Sequence, residues 1–82
     1  MDSAVLEDQD AEYELVLRFR PGGPTIVGVW GRPEVADQKL VKWIGQYGGP
    51  GVVLTLTATA GGMVSPVKSW TYEGGLQVAG AA

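Results

Sequence analysis

The spacing of apolar and polar residues changes twice along this chain, and these changes limit the folds that the chain can adopt. In residues 13–20, YELVLRFR, apolar and polar side chains alternate, and the alternation returns in residues 52–60, VVLTLTATA. From Pro33 onwards, between these segments, apolar residues recur every three or four positions. A period of two is typical of a half-buried strand, and a period near 3.6 is typical of an amphipathic helix. The chain is therefore predicted to combine strands with one helix.

Turn sequences divide the alternating segments into two hairpins. Residues 21–24, PGGP, join the first strand to TIVGVW (25–30), and Gly61-Gly62 joins the third strand to MVSPVKSWTY (63–72). Glycine supplies positive φ and proline a fixed φ, as tight reversals require. Pro66 has no N–H, so we expect it at the start of the fourth strand or at a bulge.

The helix is predicted to begin at Pro33 and to end before Gly48-Gly49-Pro50. Pro33 suits the first helical turn, and glycine followed by proline is a common stop. Its apolar face is expected to dock on the sheet, and it consists of Ala36, Leu40, Trp43, Ile44 and Tyr47.

This order predicts an α+β fold, a two-layer sandwich with one helix on a four-stranded sheet in the order ββαββ. The domain is expected to cover residues 13–75. Residues 1–12 are predicted to form a disordered acidic leader, and residues 76–82 a flexible tail or a weak fifth strand. The element order resembles the β-grasp fold of ubiquitin-like proteins, which implies that the first and last strands lie side by side in parallel.

Composition excludes most enzyme designs. The 82 residues contain no Cys and no His, which removes Ser-His-Asp and Cys-His catalysis, haem ligation and the usual zinc sites. Five of the nine acidic residues lie in residues 1–12, and the rest show no evident pairing. We therefore expect no enzyme activity, no cofactor and no metal.

The same opening segment bears on location. It lacks the basic and apolar regions of a secretory signal, and no apolar stretch reaches the ~20 residues that a membrane helix needs. A cytoplasmic protein without membrane contact is expected.

The leading functional hypothesis is a protein–protein interaction module of the adaptor, immunity or antitoxin type, of undetermined oligomeric state. Lys68, Trp70 and Tyr72 share one face of the fourth strand, and parity leaves open whether that face enters the core or stands exposed. If exposed, these residues lie near Arg18 and Arg20 on the outer sheet face, and Trp, Tyr and Arg are enriched in protein-binding hot spots.

A second hypothesis rests on Gly74-Gly75, which follows the fourth strand. Ubiquitin-like modifiers resemble this arrangement, since they follow a final strand with a diglycine. The resemblance implies that residues 76–82 are removed and that Gly75 becomes the conjugated carboxyl end. Gly-Gly also occurs at 22–23, 48–49 and 61–62, so the pair is common in this chain. The alternative is that the final residues pack as an added strand through Leu76 and Val78, with the diglycine in its ladder.

A third hypothesis rests on Trp30-Gly31-Arg32 at the end of the second strand. The triplet resembles the one that names the WGR nucleic-acid-binding domain, which implies phosphate or base contact. Six basic residues spread along the chain form a poor electrostatic footprint for nucleic acid. The alternative places Trp30 in or beside the core, Gly31 in the turn and Arg32 in solvent.

Overall fold

A computed structural model describes residues 11–79 of the chain. The predicted disordered leader up to residue 10 and the last three residues of the predicted tail lie outside the described residues. The elements are β1 (Glu12–Arg18), β2 (Thr25–Trp30), α1 (Pro33–Tyr47), β3 (Val53–Ala60), β4 (Met63–Thr71) and β5 (Gly75–Val78).

The sheet has five strands in the part of the chain described, in the order β2-β1-β3-β4-β5. All four neighbouring pairs are antiparallel. The α+β class is confirmed, whereas the expectation of four strands in ββαββ order is corrected to ββαβββ. The fifth strand forms because Gly75 turns the chain back with a positive φ of 70°, and residues 75–78 then pair with β4.

The β-grasp expectation fails on the neighbours of β1. This strand lies between β2 and β3 and pairs with β3 in antiparallel register; the described strands form no parallel pair. The reason lies in the core: Leu15 faces Leu56 and Leu17 faces Leu54 across the β1–β3 pair. The two strands that carry the buried leucines therefore occupy the centre of the sheet, and the last two strands extend it outwards.

The core is a leucine cluster between the two layers. Leu40 of α1 is fully buried against the four leucines of the central strands, and Ala36 and Val52 complete the buried set. Of the predicted helix face, Trp43 and Ile44 pack partly buried against this cluster, and Tyr47 lies edge-on to Phe19 with 5.9 Å between ring centroids. The predicted docking of the helix through this face is confirmed.

A glycine in β2 makes room for an aromatic contact between the layers. A Cβ placed on Gly28 would overlap the indole of Trp30, which lies over it. The same indole meets Trp43 of α1 in an edge-to-face arrangement, with 5.9 Å between centroids and 72° between planes. Gly28 therefore allows Trp30 to lie close to the strand, where it supports the helix.

No helix within residues 11–79 is long and apolar enough to cross a membrane.

We predict that Leu40→Ala lowers the free energy of unfolding by about 3 kcal/mol, because it leaves a cavity in the buried leucine cluster. Val41, the next residue, is 62% exposed, and Val41→Ala should change stability by less than about 0.5 kcal/mol. Urea denaturation of both variants measures the two effects. Equal losses would contradict the placement of the helix.

Gly28→Ala should cost about 1–3 kcal/mol, because the new methyl group forces Trp30 off Trp43. Gly31 is the matched control, since a Cβ there meets nothing within 4 Å, so Gly31→Ala should leave stability unchanged or slightly raised. Denaturation followed by tryptophan fluorescence reports both stability and the environment of the indole. A neutral Gly28→Ala variant with an unchanged spectrum would refute the close approach.

Candidate functional site

One helix is too narrow to cover this sheet. A helix with its side chains is about 10–12 Å wide, whereas five strands, each about 4.8 Å wide, span about 24 Å. Helix α1 packs mainly on β1, β2 and β3. It reaches β4 through the Asp37–Lys68 ion pair and through Gly48, which follows the helix and lies beside Trp70, so the helix side of β4 is only partly covered, and Leu76 and Val78 of β5 are about half exposed. We call this partly covered strip the shelf; its residues are Val67, Lys68, Trp70, Leu76 and Val78.

The register of the sheet places the shelf residues on the same side as the core. Trp70 lies opposite Leu54 and Lys68 opposite Leu56. On the next strand, Leu76 lies opposite Trp70 and Val78 opposite Lys68. Directly opposed residues of an antiparallel pair point to the same face, so the apolar surface continues from the buried leucines to the edge of the sheet.

A β-bulge adds Val67 to the shelf. The register of β3 and β4 shifts between Leu56, which faces Lys68, and Thr57, which faces Pro66. The extra residue is Val67, which packs against the core although simple alternation with Lys68 would turn it outwards. Bulges re-aim side chains in this way, and Pro66 lies at the bulge as its missing N–H led us to expect.

A groove of about 420 Å³ lies between the shelf and the first turns of α1. An ion pair closes one side of it, in which Lys68 Nζ donates to Asp37 Oδ1. The Lys68 side chain is 24% exposed and that of Asp37 46%, so water reaches both charges. The groove is lined mainly by apolar groups, from Tyr13, Pro33, Glu34, Asp37, Leu56, Val67 and Lys68.

The far part of the shelf is apolar and exposed. Leu76 is 47% and Val78 52% exposed, although both extend the core side of the sheet. Trp70, which lies opposite Leu76 on β4, is partly buried against the core, and a Cβ on Gly48 would lie 3.0 Å from its ring. The indole thus lies between the strand and the residue that follows α1.

The five residues predicted to bind a partner do not share one surface. Lys68 and Trp70 lie together on the shelf, so the core-facing alternative holds for Trp70. Arg18 is exposed on the opposite face of the sheet, in register with Val53. Arg20 lies in the β1–β2 connection, where its carbonyl accepts the N–H of Gly23 at 2.9 Å. Tyr72 is exposed in the turn that follows β4.

Sequence reasoning offered an added strand through Leu76 and Val78 but did not place these two residues in a binding site. Their alternation with Gln77 was the available signal, but three residues are too few to distinguish a strand from a tail. Without β5, nothing in the sequence places them beside Trp70 and Lys68.

The diglycine lies in the β4–β5 hairpin. The Gly74 N–H donates to Thr71 Oγ1 at 3.0 Å, and Gln77 Nε2 donates to the Gly74 carbonyl, also at 3.0 Å. Gly75 pairs with Thr71 as the first residue of β5. The added-strand alternative therefore describes residues 75–78.

The Trp-Gly-Arg triplet connects β2 to α1. Trp30 packs against Trp43, and Arg32 reaches Glu34 of the first helical turn, with 2.8 Å between Nη2 and Oε2. The pKa of the exposed Glu34 carboxyl lies below its ordinary value because of a backbone hydrogen bond and the Arg32 hydrogen bond. The alternative interpretation of the triplet therefore describes both residues: Trp30 packs beside the core, and the Arg32 side chain is 75% exposed to solvent, beside Glu34.

Comparison with known proteins identifies no relative. No protein-family model, no curated protein and no solved structure matches the chain. Residues 11–79 also contain no group of three or more acidic residues placed to hold a metal ion.

We predict a coupling energy below about 1 kcal/mol between Asp37 and Lys68, because water screens a partly exposed pair. A double-mutant cycle of Asp37→Asn and Lys68→Gln, measured by urea denaturation, gives this energy, and it should shrink as NaCl is raised. Coupling above about 2 kcal/mol that salt does not alter would mean that the groove is closed to water.

Proposed function

We propose that this protein is a non-enzymatic module that binds another protein through the shelf. The observation that carries the proposal is the half-exposure of Leu76 and Val78 on the core side of the sheet, next to an open apolar groove. Apolar surface that continues a core into solvent is stabilised when a partner covers it. The proposal keeps Lys68 and Trp70 from the predicted binding set and adds the two residues of β5.

The width of the shelf favours an amphipathic helix as the bound element. Two strands span about 10 Å, close to the diameter of one helix with its side chains. A partner helix lying beside α1 completes the helical layer over β4 and β5. Its apolar stripe covers Leu76 and Val78, as in other cases where a helix binds a hydrophobic groove.

The groove gives this surface selectivity. A large apolar side chain from the partner helix fits over Val67 and Leu56, which lie in the groove lining. The Asp37–Lys68 pair places a positive and a negative charge at its side, so a polar partner group is favoured there when its own charges are complementary to both. Affinity comes mainly from the apolar contact, and the ion pair orients the bound helix.

In this proposal Lys68 and Trp70 do not belong to the expected outer-face site, since both lie on the opposite side of the sheet. We found no contact that favours the modifier or the nucleic-acid hypothesis over a binding module.

The proposal predicts position-dependent cross-linking in cells of the native host. A photoreactive benzoylphenylalanine at Leu76 in the full chain should yield a covalent adduct with one partner protein, in a segment with apolar residues at helical spacing. The same group at Val64 is the control. Val64 is 66% exposed, more than Leu76, but it lies opposite Thr59 on the other face of the sheet.

A second change tests whether the adduct depends on the shelf. Val78→Asp, combined with the photoreactive group at Leu76, should reduce the adduct at least tenfold, because it places a charge in the apolar contact. Thermal unfolding of each variant confirms that the domain is folded. Binding through the shelf is refuted if position 76 gives no adduct, or if positions 76 and 64 give equal adducts. It is also refuted if the adduct at position 76 survives Val78→Asp.

A further inference from the structure

Strand β2 forms one edge of the sheet without the usual protection. Its six residues, TIVGVW, include no charge and no proline, and its pairing with β1 is regular from Thr25 to Trp30. Its other side has no strand beside it among residues 11–79. Edge strands of monomeric proteins usually carry charges, prolines or bulges that prevent further pairing.

The side chains of this edge are also apolar on the solvent side. Val27 is 52% and Val29 51% exposed, on the face of the sheet opposite α1. The other edge differs, because β5 has only four residues and begins at a glycine with positive φ. Of the two edges, β2 is the one suited to accept another strand.

We propose that β2 pairs with β2 of a second copy of this chain, in antiparallel register about a two-fold axis. An uncharged edge favours an uncharged strand, and β2 is itself such a strand. Antiparallel pairing about an axis perpendicular to the sheet puts the exposed valines of both copies on one face and both helices on the other. The two sheets then join into one of ten strands.

A register centred on Gly28 gives the most apolar set of neighbours. Val27 then faces Val29 of the second copy, and Ile26 faces Trp30 of the second copy, each twice because of the symmetry. The charges of β1 lie one strand inwards, with Glu14 beside Val29 and Arg18 beside Thr25. No like charges meet across the axis, and the apolar cross-strand pairs are favourable.

The contact is small, so the dimer is expected to be weak. Specific stable interfaces bury about 1,200–2,000 Å², and a pairing of five residues from each copy lies at or below the low end of that range. Sedimentation equilibrium of the full chain over a range of high protein concentrations should show a reversible monomer–dimer equilibrium.

Two lysine variants locate the contact. Val27→Lys should weaken dimerisation at least tenfold, because it puts a charge at the centre of the paired edge. Val64→Lys makes the same change at an exposed valine on the same face of the sheet, but on β4, and should leave the dimer unchanged. Circular dichroism checks the fold of each variant, and Val29→Lys replaces Val27→Lys if the latter unfolds.

Cross-linking gives a second measurement. The chain contains no cysteine, so Val27→Cys supplies one thiol per copy beside the axis, and a short bismaleimide should link two copies. Val64→Cys should not be linked. The proposal is overturned if the chain is a monomer at all concentrations, or if the two cysteine variants are linked equally. It is also overturned if Val64→Lys abolishes the dimer and Val27→Lys does not.

Discussion

The contact of one helix with a sheet wider than itself determines most of this structure. Helix α1 can cover only part of five strands, and it covers the part where burial stabilises most. Leu40 lies against the leucines of β1 and β3, and these are the fully buried large side chains. Each fully buried leucine contributes about 1.5–3 kcal/mol, so the centre of the sheet supplies most of the hydrophobic stabilisation. The outer strands at both edges of the sheet contribute less to this core.

The two edges of the sheet differ in how their core side is covered. At the β2 end, Trp30 lies over Gly28 and meets Trp43, so a large aromatic extends the core cover to the edge strand. At the β5 end, Trp70 is partly buried and lies close to Gly48, whereas Leu76 and Val78 are about half exposed. The exposed apolar surface of the core side is therefore concentrated on β4 and β5, beside the groove.

The elements could be predicted from the sequence because each has a regular period. Strand β2 and helix α1 have the predicted bounds, and the buried positions of the helix follow its apolar face. Strand order could not be predicted, because alternation shows which side chains share a face and not which strands are neighbours. The site was harder to predict. Strand β5 is too short to show a period, parity left the face of Lys68 and Trp70 open, and the bulge places Val67 on the side opposite to the one that alternation gives it.

The strand order also decides how the two proposed contacts combine. Strands β2 and β5 are the opposite edges of one sheet, so pairing through β2 leaves the shelf of each copy at the far ends of a ten-stranded sheet. Both shelves keep their helix side open, because the two-fold axis puts both helices on the same face. A dimer of this form presents two equal binding sites in a fixed relation to one another. Two linked sites bind a partner that carries two helices more tightly than either site alone, without any new contact, so a weak edge pairing is sufficient to change how strongly the shelf retains its partner.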